Sequence, residues 1–164
     1  MSATNAVRRR VGRLLSATLV AAALATFLAP PPAHATLGPP VQVDIQLRGS
    51  SGAYQVLVGR VVGTIEFDDG ASAYRLSLVL CRQSSYTTPT VRVNVNGVLE
   101  HSIQQDSVYR SQICGGHGLS GELVRTFSYP GVVENISIGI QGVYFDGSTA
   151  RPVGDGAFYP NPYY

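Results

Sequence analysis

The sequence predicts an all-β protein, an antiparallel β-sandwich of about eight strands with immunoglobulin-like architecture. Three observations carry this. Segments of alternating apolar and polar residues recur from Val41 onward, and Gly-, Asn- and Asp-rich turns separate them. No segment beyond residue 35 has the period of an amphipathic helix. Connections of uneven length suit crossings between two sheets better than an up-and-down barrel, the alternative closure.

The first 35 residues stand apart. Arg8, Arg9, Arg10 and Arg13 precede an apolar run from Leu14 to Leu28, followed by Pro30-Pro31-Pro32 and Ala33-His34-Ala35. A basic region, a short apolar core and an Ala-x-Ala site make a secretory signal peptide cut after Ala35. The run is short for a membrane span, so no span is expected after cleavage. Arg9-Arg10 opens the twin-arginine route, but the residues that follow fit general secretion better, and no cysteine marks a lipoprotein.

Val41, Val43, Ile45 and Leu47 alternate with Gln42, Asp44, Gln46 and Arg48, a first strand that Gly49-Ser50-Ser51-Gly52 turns. Residues 54–67, Val-rich and interrupted by Gly59 and Gly63, read as two short strands or one bent strand with a bulge. Past Asp68-Asp69-Gly70, the residues Tyr74, Leu76, Leu78 and Leu80 face one way, and Arg75 and Ser77 the other. After a polar loop, 82–89, comes a hairpin whose tip holds Asn96-Gly97. A three-residue loop with Gly97 in the left-handed position sets Val93 opposite Leu99, Val91 opposite His101 and Arg92 opposite Glu100; this register is the expected one. Further strands are expected over 107–113, 123–129 and 133–140, then Val143-Tyr144-Phe145. The domain is drawn at 36–150, with 151–164 as a Tyr- and Pro-rich tail.

Charge bounds the partners. The chain has no Lys, and of its twelve Arg four lie in the signal, leaving eight against ten acidic residues. Without Lys, Schiff-base chemistry and Lys–Asn cross-links are excluded. The remaining Arg residues are scattered, so nucleic acid is not an expected partner. Exclusive Arg, abundant Ala and the Ala-x-Ala site fit a bacterial source. Cys81 and Cys114 in an exported chain predict one disulfide. Polar neighbours (Arg75 and Ser77 beside one cysteine, Arg110 and Gln112 beside the other) place it at the rim of the sheets, not as a central pin.

Few residues offer chemistry. His101 falls on the apolar face of the hairpin and reads as a hydrogen-bonded structural histidine. His117 lies in Gly115-Gly116-His117-Gly118 with Ser120 and Glu122 close by, the residue types of a nucleophile, base and orienting acid. A glycine-rich turn that happens to carry a polar residue is the plainer account. Asp68 and Asp69 adjoin in a tight turn, which does not set two carboxyls across a sugar. With Asp146 and Asp155 they are the candidate ligands for calcium, yet these are also the residues turns favour. Ser84, Ser85, Tyr86 and Thr87 make a polar loop suited to contact. The absence of Trp removes the usual platform for stacking sugars. Asn135-Ile136-Ser137 matches a glycosylation acceptor but falls inside an expected strand.

These observations point to a secreted, non-catalytic module that binds an extracellular protein or a surface polymer. The alternatives are a small hydrolase using His117, a protease inhibitor presenting the loop beside Cys81, and a structural protein of the cell envelope.

Overall fold

A computed structural model describes residues 36–104, 112–114 and 120–164. The protein is all-β, with two antiparallel sheets of four strands each. In chain order the strands are β1 (Val41–Ser51), β2 (Tyr54–Phe67), β3 (Ala73–Arg82), β4 (Thr90–Val95), β5 (Val98–Gln104), β6 (Ser120–Ser128), β7 (Asn135–Asp146) and β8 (Thr149–Pro160), with a 3-10 turn at Gln112–Cys114. The first sheet has the order β1-β2-β3-β6 and the second β5-β4-β7-β8. Among the described residues no ladder joins them, the arrangement of a sandwich and not of a closed barrel. The order also differs from that of an antibody domain, and the likeness stops at architecture.

Alternation builds the layers. Each strand has one apolar face, and an apolar sheet face is stable only when covered. Tyr74, Leu76, Leu78 and Leu80 of β3 are fully buried, as are Val91, Val93 and Val95 of β4 and Ile136, Ile138 and Ile140 of β7. Each such side chain contributes about 1.5–3 kcal/mol through removal from water. Residues 54–67 form one strand, and its bulge falls at Val58: Leu47 pairs with Gly59, but Arg48 pairs with Leu57. Gly63 has φ +147° and lies where a Cβ would overlap the Ser77 carbonyl oxygen, so no other residue fits between Val43 and Leu78.

The hairpin differs from the expected register. Asn96 (φ 51°) and Gly97 (φ 81°) form a plain two-residue turn, pairing Val95 with Val98 and Asn94 with Leu99. The phase is reset one residue later by leaving Glu100 unpaired, so that Val93 meets His101 and Val91 meets Ile103. The bulge keeps Ile103 in the core and leaves Val98 and Leu99 exposed. Asn96 is held at positive φ by its own side chain. Its Nδ2 donates to the Val132 carbonyl at 2.7 Å, and its Oδ1 accepts from the Glu134 N–H at 2.8 Å. Buried Asn161 clamps the same segment from the other side, donating to the Val133 carbonyl at 2.6 Å.

Three other expectations change. The two segments expected over 133–140 and 143–145 are one strand, β7, which starts at Asn135 and runs to Asp146. The segment from Arg151, expected as a tail, is most of β8 and pairs with β7 along its length. At 107–113 the structure has a 3-10 turn from Gln112, while 107–111 lie outside the described residues.

Cys81 and Cys114 are disulfide-bonded with Cα atoms 5.4 Å apart. Cys81 points away from the inter-sheet core, on the outer face of the first sheet, where it clusters with Val62, Val79 and Cys114. The bond thus straps the turn onto the sheet instead of pinning the two sheets together. With the cysteines 33 positions apart in sequence, its loss in Cys81→Ala/Cys114→Ala is expected to cost about 3–4 kcal/mol in urea unfolding. A cost near zero would show that the strap does not constrain the unfolded chain.

Candidate functional site

His101 crosses the sandwich. It stands on β5 in the second sheet, and its Nε2 lies 2.6 Å from the hydroxyl of Tyr74 on β3 in the first. Its ring stacks on Phe127 of β6 at 3.9 Å between centroids, and the Arg125 guanidinium caps that ring at 5.6 Å. Burial, and then the charge of Glu100, push the Tyr74 phenol up to about 12, so it stays protonated. Burial also lowers the imidazole; Arg125 adds to this and Glu100 opposes it. The histidine is a bonded structural residue at the seam.

The catalytic candidates do not assemble among the described residues. His117 lies outside them. Ser120 is fully buried at the start of β6, opposite Cys81, while Glu122 on the same outer face is exposed opposite Val79. The calcium candidates are likewise spread out. Asp68 is fully buried and organises its own turn, accepting from the Ala73 N–H at 2.6 Å and the Ser72 hydroxyl at 3.2 Å. Asp69 accepts from the Thr36 N–H, Asp146 pairs with Arg151 at 3.0 Å, and Asp155 accepts from the Gly156 N–H. No group of three or more His, Cys, Asp or Glu gathers among the described residues.

The polar loop divides into anchor and display. Ser85 is buried, and its hydroxyl bonds both the N–H and the carbonyl of Val143 at 3.3 Å. Ser84 is exposed and is held through its N–H to the Leu57 carbonyl. Arg82 donates to the carbonyls of Ser85 and Tyr86 at 3.0 and 3.1 Å. So fixed, the loop shows solvent the ring of Tyr86, 62% exposed and edge-on to Phe145 at 4.6 Å, and the side chain of Thr87.

Thr87 opens onto a trough on the outer face of the second sheet. One section, about 400 Å³, is lined by Thr87, Thr88, Thr90, Gln141, Pro152 and Gly154. A second, about 370 Å³, lies further along the same strands between Asn94, Ser137, Gly139, Gly156 and Phe158. Register explains the hollow. Across the sheet the outward rows run Leu99–Asn94–Ser137–Phe158, then Ser102–Arg92–Gly139–Gly156, then Gln104–Thr90–Gln141–Gly154. Three glycines thus lie together where a sheet normally carries side chains. A Cβ at Gly139 or Gly154 would meet nothing closer than 3.6 Å, so packing does not require glycine at either position. Neither section is lined by a carboxylate, histidine or cysteine. The face can hydrogen-bond and stack, and it carries no acid–base pair. Tyr86 and Thr87, singled out in the sequence, stand beside this trough; the trough itself is not visible in the sequence, because the glycines come from two strands and meet only through pairing.

No described protein family matches the chain, and neither a curated protein nor a solved structure matches it. No helix among the described residues is long and apolar enough to cross a membrane.

The lowered His101 sets a pH dependence. Its ordinary value is 6.5, so as pH falls below that the unfolded chain takes up the proton before the folded one does, and stability drops. Melting temperature is expected to fall from about pH 7.5 to about pH 5 by more in the native protein than in His101→Gln. Equal falls would place the acid sensitivity elsewhere.

Proposed function

We propose that the protein is a secreted, non-catalytic binding module whose contact surface is the trough on the outer face of the second sheet. The observation that carries this is the bare glycine floor. Glycine inside a strand costs about 0.5–1 kcal/mol relative to alanine, and at Gly139 and Gly154 no neighbouring atom demands it. A floor kept empty at that cost, with exposed Phe158 at one end and Tyr86 with Phe145 at the other, is suited to something lying against it. The loop that presents Tyr86 and Thr87 is tied to β2 and β7 by main-chain bonds from Gln83, Ser84, Ser85 and Tyr86, which limits the entropy lost on binding.

Export rests on the basic, apolar and Ala-x-Ala pattern of residues 1–35, and a disulfide-strapped fold is compatible with an oxidising compartment. Protein recovered from the medium is expected to begin at Thr36 by intact mass. A chain still carrying residues 1–35 would replace release with anchoring.

The contact surface is tested by Gly139→Ala/Gly154→Ala. The double variant is expected to melt at the same or a higher temperature than the native protein and to lose retention on the producing cells' surface material at least severalfold. Unchanged retention in a folded variant would remove this face from the function. The hydrolase alternative is tested by a panel of ester, peptide and glycoside substrates. Turnover that disappears in His117→Ala would overturn the non-catalytic reading.

A further inference from the structure

β4 and β7 are the two central strands of the second sheet, and their main-chain groups are used by ladders on both sides. A ligand on this face therefore bonds to side chains. Those available are hydroxyls and amides: Thr90 and Asn94 on β4, Ser137 and Gln141 on β7, with Thr87 and Thr88 at the loop end. Each offers both a donor and an acceptor at one position, which is what the hydroxyl of a sugar also offers. A peptide strand, by contrast, is captured through main-chain bonds at a sheet edge, and nucleic acid needs clustered cations. The hydroxyls and amides of β4 and β7 lie away from the sheet's edge strands, β5 and β8, and Arg92 is the one cation among the described residues in the outward rows of this face.

Stacking surfaces stand at both ends. Phe158, 63% exposed, closes the Ser137 end, and the Tyr86–Phe145 pair closes the other. They supply apolar ring faces for the C–H face of a pyranose, in a chain that has no Trp. From Ser137 to Val143 the trough follows β7 for about 20 Å, a length that suits a chain of sugars better than a single one.

Charge narrows the class. Arg92 sits between Thr90 and Asn94 on β4, in the outward row between those that line the two sections, and its cross-strand neighbours are Ser102 and Gly139, with Gly156 beyond. It is exposed and makes no ion pair with any described residue. Glycine on its β7 side leaves open floor beside it. A guanidinium is a fork for carboxylate oxygens, and no carboxylate among the described residues lines the trough. Beyond the signal the chain has more acidic than basic residues, so attraction for a polyanion is local to this cation and falls with salt.

We propose that the trough binds an acidic polysaccharide. Its sugar rings lie over Gly139, Gly154 and Gly156 between Phe158 and Tyr86, and a uronic-acid carboxylate meets the Arg92 guanidinium. This rests on the reading of the same face as the contact surface.

The test is titration of the disulfide-bonded protein with polygalacturonate and with alginate, using methyl-esterified polygalacturonate and dextran as uncharged comparisons. The native protein is expected to bind at least one of the two polyuronates, with esterification weakening that binding about tenfold. Arg92→Gln is expected to weaken it equally without lowering the melting temperature, and Arg92→Lys to restore part of it. Binding to neither polyuronate overturns the proposal, as does polyuronate binding that Arg92→Gln leaves unchanged. Dextran bound equally by the native protein and Arg92→Gln, but not by Gly139→Ala/Gly154→Ala, would defeat the acidic class and leave the contact surface standing. Cell-surface retention that fails in the glycine variant alongside absent polyuronate binding would separate the two in the same way.

Discussion

The burial of one face of β3 is the constraint on which the structure depends. Tyr74, Leu76, Leu78 and Leu80 are fully enclosed, and β3 lies in the interior of its sheet between β2 and β6. A period of two leaves these residues on one side, so a second sheet has to cover them. The valines of β4 and the isoleucines of β7 do so. Polar groups caught at the join are paired: Tyr74 with His101, Asn96 and Asn161 with the segment between β6 and β7, and Asp68 with its own turn. Buried polar groups left unpaired would each cost about 1–3 kcal/mol, so these bonds fix which loops meet at each end.

With the inner faces committed to each other, the outer faces are what the molecule can show, and they are unlike. On the first sheet the disulfide straps a 3-10 turn over Val62 and Val79, and Asp44 and Arg60 form a two-pronged pair at 2.7 Å, with the carboxyl held below its usual range by that bond. On the second sheet the floor is glycine, the walls are hydroxyls and amides, and the ends are aromatic. Both faces carry a hollow, of about 510 Å³ beside the paired Asp44 and Arg60 on the first sheet and of about 400 and 370 Å³ on the second, where Arg92 makes no ion pair with a described residue.

Period and composition made the architecture legible. The alternation of 41–48 and 74–80 is strict because each strand has one wet and one dry face, and the cysteines had only each other. The hairpin register was not legible. The phase mismatch between Val93 and Leu99 can be absorbed in the loop or one step beyond it, and only the bonds from Asn96 to the 132–135 segment favour the two-residue turn. β8 was hidden because Pro152, Pro160 and alternating glycines blur its pattern. The trough was hidden for a different reason. Gly139, Gly154 and Gly156 are unremarkable in sequence and become a floor only when β7 and β8 pair in this register.

The central claim is that the hollow outer face of β4, β7 and β8 is where this protein meets its partner. Amide chemical-shift mapping of the isotope-labelled protein against soluble surface polysaccharide from the producing cells tests it most directly. Perturbed amides are expected at Thr87, Thr88, Asn94, Gly139, Gln141 and Gly154 to Phe158. Perturbations confined to the strapped face of the first sheet, around Val62, Val79 and Ile113, would contradict it.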